Sequence, residues 1–227
     1  MIENDAQFCP IAQASEIVAE RWTPLILREL LMGTRRFGDF QRAIPLISPG
    51  ILSGRLSSLE DAGIVEKKPA PSDARGREYH LTEAGEELRP IILELGRWGI
   101  RWLRRKADLQ EHDAAALMWD MKRRVDLDRR SEGPVVIHFE LRGVAERVRF
   151  WWLLVDEQDR VDLCMTPPGH EVALSVVASL ETLADVWLGE RDIASAVACG
   201  DVLLDGDREL ADSIDEWIGL SSLTQPD

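Results

Sequence analysis

The sequence predicts two domains: a mainly helical one carrying a single β-hairpin over residues 1–108, and an α+β one over residues 109–227. Three observations carry that division. At 227 residues the chain is long enough for two domains of ordinary size, each burying its own core. Its net charge of −14 is unevenly spread. Of 27 Lys and Arg and 41 Asp and Glu, the first 108 residues hold 16 and 16, which leaves 11 and 25 for the rest, so the whole acidic excess lies in the second half. Finally, apolar residues recur at helical spacing from Ile11 to Leu59, whereas strand-like runs fill Pro134 to Pro167.

The elements of the first half follow in order. Ile11, Ala14, Ile17 and Val18 predict a helix over residues 10–21. Thr23 is placed to cap a second helix, "PLILRELLMG", with Pro24 in its first turn and Gly33 as its stop. Phe37–Ile44 reads as a third, short helix closed by Pro45. Ser48 caps a fourth, with Pro49 in the first turn, Ile51, Leu52, Leu56 and Leu59 as its apolar stripe, and Gly63 after its end. "IVEKKPA" and "REYHLT" are strand-like runs joined by a loop with Arg75 at its tip. Thr82 caps a last helix, which Pro90 should bend near its start.

Helices followed by a tight turn, another helix and a hairpin make a winged helix-turn-helix. The fourth helix fits that role through an oddity: its outward residues are Gly50, Ser53, Gly54, Ser57 and Ser58. A recognition helix lies in a major groove about 12 Å wide, where small side chains permit close approach. The rival reading is a small face packed on another helix. As candidate DNA-contacting residues the pattern gives Ser48, Pro49, Gly50, Ser53 and Arg55 on the helix and Arg35 and Arg36 before the third helix. Lys67, Lys68, Arg75 and Arg77 join them on or beside the hairpin. Cys9, just before Pro10 and the first helix, is a candidate redox sensor because a helix N-terminus favours thiolate.

Cys9-Pro10, Arg21-Trp22-Thr23, "LILREL", "RRFGDF", "ISPGILSGRLSSLEDAGIV" and "REYHLTEAGEEL" together resemble the HxlR-type bacterial transcriptional regulators, relatives of the MarR group, over roughly residues 8–106. The resemblance implies a homodimer on a double-stranded DNA operator, with a dimer surface built by the first and last helices. It also implies an electrophile- or redox-sensing role for Cys9. Gly50 and Gly54 depart from the family pattern, in which longer polar residues stand there.

The second half reads as a helix, "QEHDAAALMWDMKRRVDLD", then three strands forming an antiparallel meander, then helices from Gly169 onward. "VLLDG" is a short strand among them, and Asp205-Gly206-Asp207 reads as a turn and helix cap rather than a metal loop. Cys164 and Cys199 sit in apolar, strand-like contexts. Trp151 and Trp152 must point to opposite sheet faces, and an apolar cavity is one way to cover the second. "GHEVALSVVASLETLADVWLGERDIASAVACGDVLLDGDRELADSIDEWI" is similar to sterol carrier protein 2 (SCP2)-like domains. That resemblance implies a lipid or acyl-chain tunnel lined by Phe139, Trp151 or Trp152, Met165, Leu180, Leu183, Trp187, Ile193 and Trp217.

No acid, base or nucleophile set stands out, and the histidines lack ligand spacing, so the expectation is no enzyme, no cofactor and no metal. No apolar run approaches the roughly 18 residues of a membrane span. "MIENDAQF" lacks the features of a secretory signal, and three scattered cysteines suit a reducing cytoplasm. The sequence therefore predicts a cytoplasmic DNA-binding repressor whose second domain senses an apolar small molecule. The alternative is a lipid carrier that uses its first half only to dimerise.

Overall fold

The computed structural model describes residues 8–70, 73–103, 109, 111–127, 133–219 and 221, with the side chains of residues 73–75 outside that set. The chain divides into two compact units, Met1–Leu103 and Arg104–Asp227. Residues 104–108, where the sequence places the boundary, lie outside the described ones.

The first unit comprises α1 (Pro10–Val18), α2 (Thr23–Leu31), α3 (Phe37–Ala43), α4 (Pro49–Asp61), β1 (Val65–Ala70), β2 (Asp73–Leu81), α5 (Glu83–Glu86) and α6 (Arg89–Trp102). Thr23 does not cap α2 as predicted. The N-cap is Trp22, in the left-handed region at φ 77°, and Thr23 is buried at the first helical position. This sharp turn also ends α1 earlier than the apolar spacing suggested. The core is built from Ile26, Leu27 and Leu30 of α2, Phe40 of α3 and Leu52, Leu56 and Leu59 of α4, each at most 1% exposed. A side chain of this size contributes about 1.5–3 kcal/mol when fully buried, so these residues fix the angle between the helices. Ile51, assigned to the stripe from sequence, is 46% exposed; the buried row runs at 52, 56 and 59, and residue 51 lies about 100° round the helix from it.

Two backbone bonds end α4: Gly63 N–H donates to the Glu60 carbonyl and Ile64 N–H to the Leu59 carbonyl. This arrangement needs the positive φ of Gly63, 72°. The chain enters β1 directly, and β1 pairs antiparallel with β2 through Val65–Leu81, Lys67–Tyr79 and Pro69–Arg77. The register shifts between Pro69 and Ala70, where proline has no N–H to offer a ladder. Thr82 ties wing to helix. Its hydroxyl donates to the Gly63 carbonyl at 2.7 Å and accepts from Gly85 N–H at 3.3 Å. The predicted bend at Pro90 is a full break between α5 and α6, because proline cannot donate to the Glu86 carbonyl.

The second unit holds α7 (Glu111–Lys122), β3 (Val135–Arg142), β4 (Phe150–Val155), β5 (Val161–Cys164), β6 (Leu174–Ser179), α8 (Leu180–Trp187), α9 (Ile193–Ala198), β7 (Val202–Gly206), α10 (Arg208–Asp212) and α11 (Ile214–Ile218). Its sheet runs β5-β4-β3-β6-β7. The predicted meander is present as β3-β4-β5, but the sheet as a whole is mixed, with β6 parallel to β3 and β7 antiparallel to β6. Residues 174–179, expected to be helical, form a strand of alternating burial. Their apolar residues satisfy both periods, and the true helix start is Ser179, whose hydroxyl accepts from Thr182 N–H at 3.0 Å. Five helices bury their apolar sides on one sheet face, in a core that includes Phe139, Trp151, Met118, Leu183 and Trp217. Asp207 caps α10 by accepting from Leu210 N–H, as the cap reading expects, but Asp205 and Gly206 end strand β7 rather than forming a turn. Cys199 is exposed at the end of α9 rather than in a strand.

The glycines of the first unit give a stability test. A Cβ on Gly85 would lie 2.3 Å from the Ile64 carbonyl oxygen and 2.8 Å from Leu81, whereas one on Gly54 meets nothing within 4 Å. Gly85→Ala should therefore destabilise by about 1–3 kcal/mol, and Gly54→Ala should stabilise by up to about 1 kcal/mol. Chemical denaturation of the full chain measures both, and equal effects would contradict this packing of wing on helix.

Candidate nucleic-acid interface

The surface in question is assembled on α4. Ser48 enters in an extended conformation and its hydroxyl accepts from Ile51 N–H at 3.3 Å, while Pro49 takes the position where a missing N–H costs nothing. With Leu52, Leu56 and Leu59 turned inward, Gly50, Ser53, Gly54, Ser57 and Ser58 are exposed. A Cβ at Gly50 or Gly54 would meet nothing within 4 Å. Open space at both glycines means that their smallness is not explained by close packing inside the unit.

Behind α4, the α2–α3 turn is held by a buried charge. Glu29 is 0% exposed; its carboxylate accepts from Arg28 Nη2 at 2.6 Å and from Thr34 Oγ1 at 2.9 Å. The same turn is closed by Thr34 N–H on the Glu29 carbonyl and by Arg35 Nη1 on the Leu30 carbonyl, 2.6 Å. Arg35, a predicted DNA contact, is half-buried, and its Nη1 is engaged at the end of α2. Its own carbonyl accepts from Tyr79 N–H at 2.9 Å, which couples the turn to β2.

The other predicted cations lie around α4 and the wing, and most have carboxylate partners. Arg55 Nη2 is 2.6 Å from Glu20 Oε2, in the turn between α1 and α2. Lys67 Nζ is 2.6 Å from Glu60 Oε2, a bond that raises the Lys67 pKa, and lies 5.6 Å from the Tyr79 ring centre. Lys68 pairs with Glu66 at 2.7 Å and Arg36 with Glu78 at 3.5 Å. Arg77 is exposed on β2, opposite Pro69. The Arg75 side chain lies outside those described. Cys9 is exposed at the N-cap of α1 and makes no side-chain cap bond. The sequence reading missed Glu20, Glu29 and Glu60. No local spacing signals them, since Glu20 and Glu60 meet cations on other elements and Glu29 meets Thr34 across a turn as well as the adjacent Arg28.

A second surface in this unit is apolar. Ile91, Leu95, Trp98 and Trp102 recur along α6 and are 50–68% exposed, and Phe8 and Ile11 at the start of the chain are exposed too.

In the second unit, Phe139, Trp151, Leu180, Leu183, Trp187, Ile193 and Trp217 come together in the packed core, none more than 7% exposed. Trp152 lies on the opposite sheet face, 5.0 Å from the His138 ring centre. There His138 Nδ1 is 2.9 Å from Ser175 Oγ, and burial holds the imidazole below its ordinary pKa. Met165 is 48% exposed, past the end of β5. A cleft of about 320 Å³ is lined by Val186, Ile193 and Ile218 together with Arg191, Asp192 and Glu216; Ile193 is the predicted residue that reaches it. Among the described residues no group of three or more His, Cys, Asp or Glu is placed to hold a metal ion, and no helix is long and apolar enough to cross a membrane.

The HxlR-like helix-turn-helix family matches residues 17–107. The uncharacterized HTH-type transcriptional regulator YvaP of Bacillus subtilis (strain 168) is 37% identical over 101 residues, 44% of this chain and 94% of the relative. The uncharacterized HTH-type transcriptional regulator Mb3122 of Mycobacterium bovis is 44% identical over 95 residues, 42% of this chain and 60% of the relative. Among solved structures, the oxidized form of the redox regulator HypR is 30% identical with a TM-score of 0.40, covering 44% of this chain and 100% of that one.

The buried carboxylate gives a direct test of the geometry. Glu29→Gln keeps the shape but loses the charge-assisted bonds, at a cost of about 1–3 kcal/mol. In urea denaturation the variant should lose that much, and a neutral result would show that Glu29 does not hold the turn.

Proposed function

This chain belongs to the HxlR-type helix-turn-helix transcriptional regulators, and from that premise we propose that it is a dimeric repressor whose second unit responds to an apolar small molecule. The observation that carries the DNA-facing part is α4 itself: a capped helix whose outward face is small and exposed, with open space at Gly50 and Gly54. Inserted in a major groove, that face lets the backbone approach the base edges, with Ser48 and Ser53 at its leading end. The wing adds cations beside it, with Arg77 exposed and Lys67 and Lys68 on the paired strand. With so few long polar side chains on α4, sequence preference leans on the wing and on DNA shape.

A second copy of the chain is the partner for the apolar row on α6. Side chains at 91, 95, 98 and 102 share one helical face, and the exposed Ile11 lies on the other helix that the family resemblance assigns to the dimer surface, with the exposed Phe8 just before it. Two copies joined there carry two recognition helices, and the operator then has two-fold symmetry.

The ligand-sensing part is supported by the cleft at Val186, Ile193 and Ile218. Ten buried methylenes contribute up to about 8 kcal/mol before the costs of binding, so an acyl chain reaches micromolar affinity there. A coupling of 1–3 kcal/mol changes operator affinity about 5- to 150-fold.

One footprinting experiment tests both parts. The full chain on its own promoter DNA should protect two half-sites about one helical turn apart. Trp98→Lys, by opening the dimer surface, should abolish the paired protection. Adding a panel of fatty acids, sterols and aromatic compounds should shift the half-saturation concentration for at least one of them. Absence of protection at low salt overturns the DNA reading, and a footprint indifferent to the whole panel overturns the sensor reading.

A further inference from the structure

We propose that Glu20 and Glu60 set the DNA affinity of this protein by holding Arg55 and Lys67, two cations of the proposed interface, against the chain's own carboxylates. The inference rests on reading α4 and the wing as the DNA-contacting surface. It goes further by naming residues that oppose binding.

Arg55 is the one basic residue of α4. Its guanidinium is 2.6 Å from Glu20, and the two side chains are 30% and 47% exposed. Lys67 and Glu60 are 2.6 Å apart and 37% and 36% exposed. Neither pair is sealed from water, so each holds its cation weakly and competes with any other anion that approaches. A DNA phosphate is such an anion, and guanidinium binds phosphate and carboxylate with the same forked geometry. Room for the exchange is present. Glu20 and Arg55 line a groove of about 510 Å³ between α1 and α4, shared with Gln13, Glu16 and Ser58, so the guanidinium can swing away without displacing the core.

DNA contact by Arg55 is therefore an exchange of partners. The Glu20 carboxylate loses its cation when phosphate gains it and then repels the backbone it faces. Lys67 and Glu60 repeat the arrangement at the wing. The internal pairs lower affinity and flatten its dependence on salt, because a cation already neutralised by carboxylate has fewer counterions to release.

The test is a double-mutant cycle on the full chain, read by fluorescence anisotropy on a mixed-sequence duplex of about 30 base pairs, long enough for two half-sites. Glu20→Gln should tighten binding about 3- to 10-fold at about 50 mM salt and steepen the salt slope by about 0.9. That slope makes the gain shrink about 3.5-fold by 200 mM. In an Arg55→Ala background the same change should have no effect, and Glu60→Gln should behave likewise with and without Lys67. Glu16→Gln, one turn earlier on α1, removes the same charge and should change affinity less than 2-fold, roughly the level of general repulsion. Circular dichroism verifies that each variant is folded. A Glu20→Gln gain that persists without Arg55, is matched by Glu16→Gln, or is absent overturns the proposal. A parent chain that binds no duplex at low salt overturns the DNA reading and this proposal with it, whereas a parent that binds with no coupling in the cycle overturns this proposal alone.

Discussion

The first unit depends on one buried carboxylate. Glu29 is the fully buried charge among the described residues, and burying a charge is costly unless it is paired and hydrogen-bonded. Arg28 and Thr34 supply those bonds, but only when the chain after α2 turns back sharply enough to bring Thr34 onto Glu29. The turn so selected delivers Arg35 to the edge of β2 and starts α3 in the direction that buries Phe40 against α2 and places its ring edge-on to Tyr79. Unpaired, the same carboxylate would penalise every alternative angle. An apolar residue at 29 would fill the space without choosing among them.

From that fixed turn the presentation of α4 follows. Three leucines anchor one side of the helix, and the Gly63 stop aims the chain into the wing with no intervening loop. The glycines outside give up helix propensity, about 1 kcal/mol each, and gain nothing from packing. A surface that weakens its own helix without internal compensation is expected where another molecule approaches. The carboxylates around it work in the other direction, since Glu20, Glu60, Glu66 and Glu78 each meet a cation of the same surface.

Much of the first unit was legible because its signals are local. Ser48-Pro49, Gly63, Thr82 and Pro90 each act within a few residues, and each punctuates the structure where it stands in the sequence. What escaped was long-range or conformational. Trp22 adopts a positive φ that its side chain does not advertise, and Ile51 differs from Leu52 only in which way the helix faces. The ion partners of Arg55, Lys67 and Arg36 lie on other elements, so a list of basic residues overstated how many project freely. In the second unit, residues 174–179 carried apolar residues compatible with either period, and a parallel pairing with β3 decided for strand. Seven of the residues assigned to a ligand tunnel share one core, as their apolar pattern implied. Trp152 and Met165 do not join it, because strand alternation and the end of β5 turn them elsewhere.

The claim that α4 is the element facing DNA is tested most directly by where it cuts. With Cys9, Cys164 and Cys199 replaced by Ser, Ser53→Cys carries an iron chelate that cleaves nearby DNA, and Ala194→Cys, exposed on α9 of the second unit, is the comparison position. The account predicts cleavage from position 53 at two clusters about one helical turn apart, with none from position 194. Cleavage from neither position by a chain that still binds the duplex, or equal cleavage from both, would contradict it.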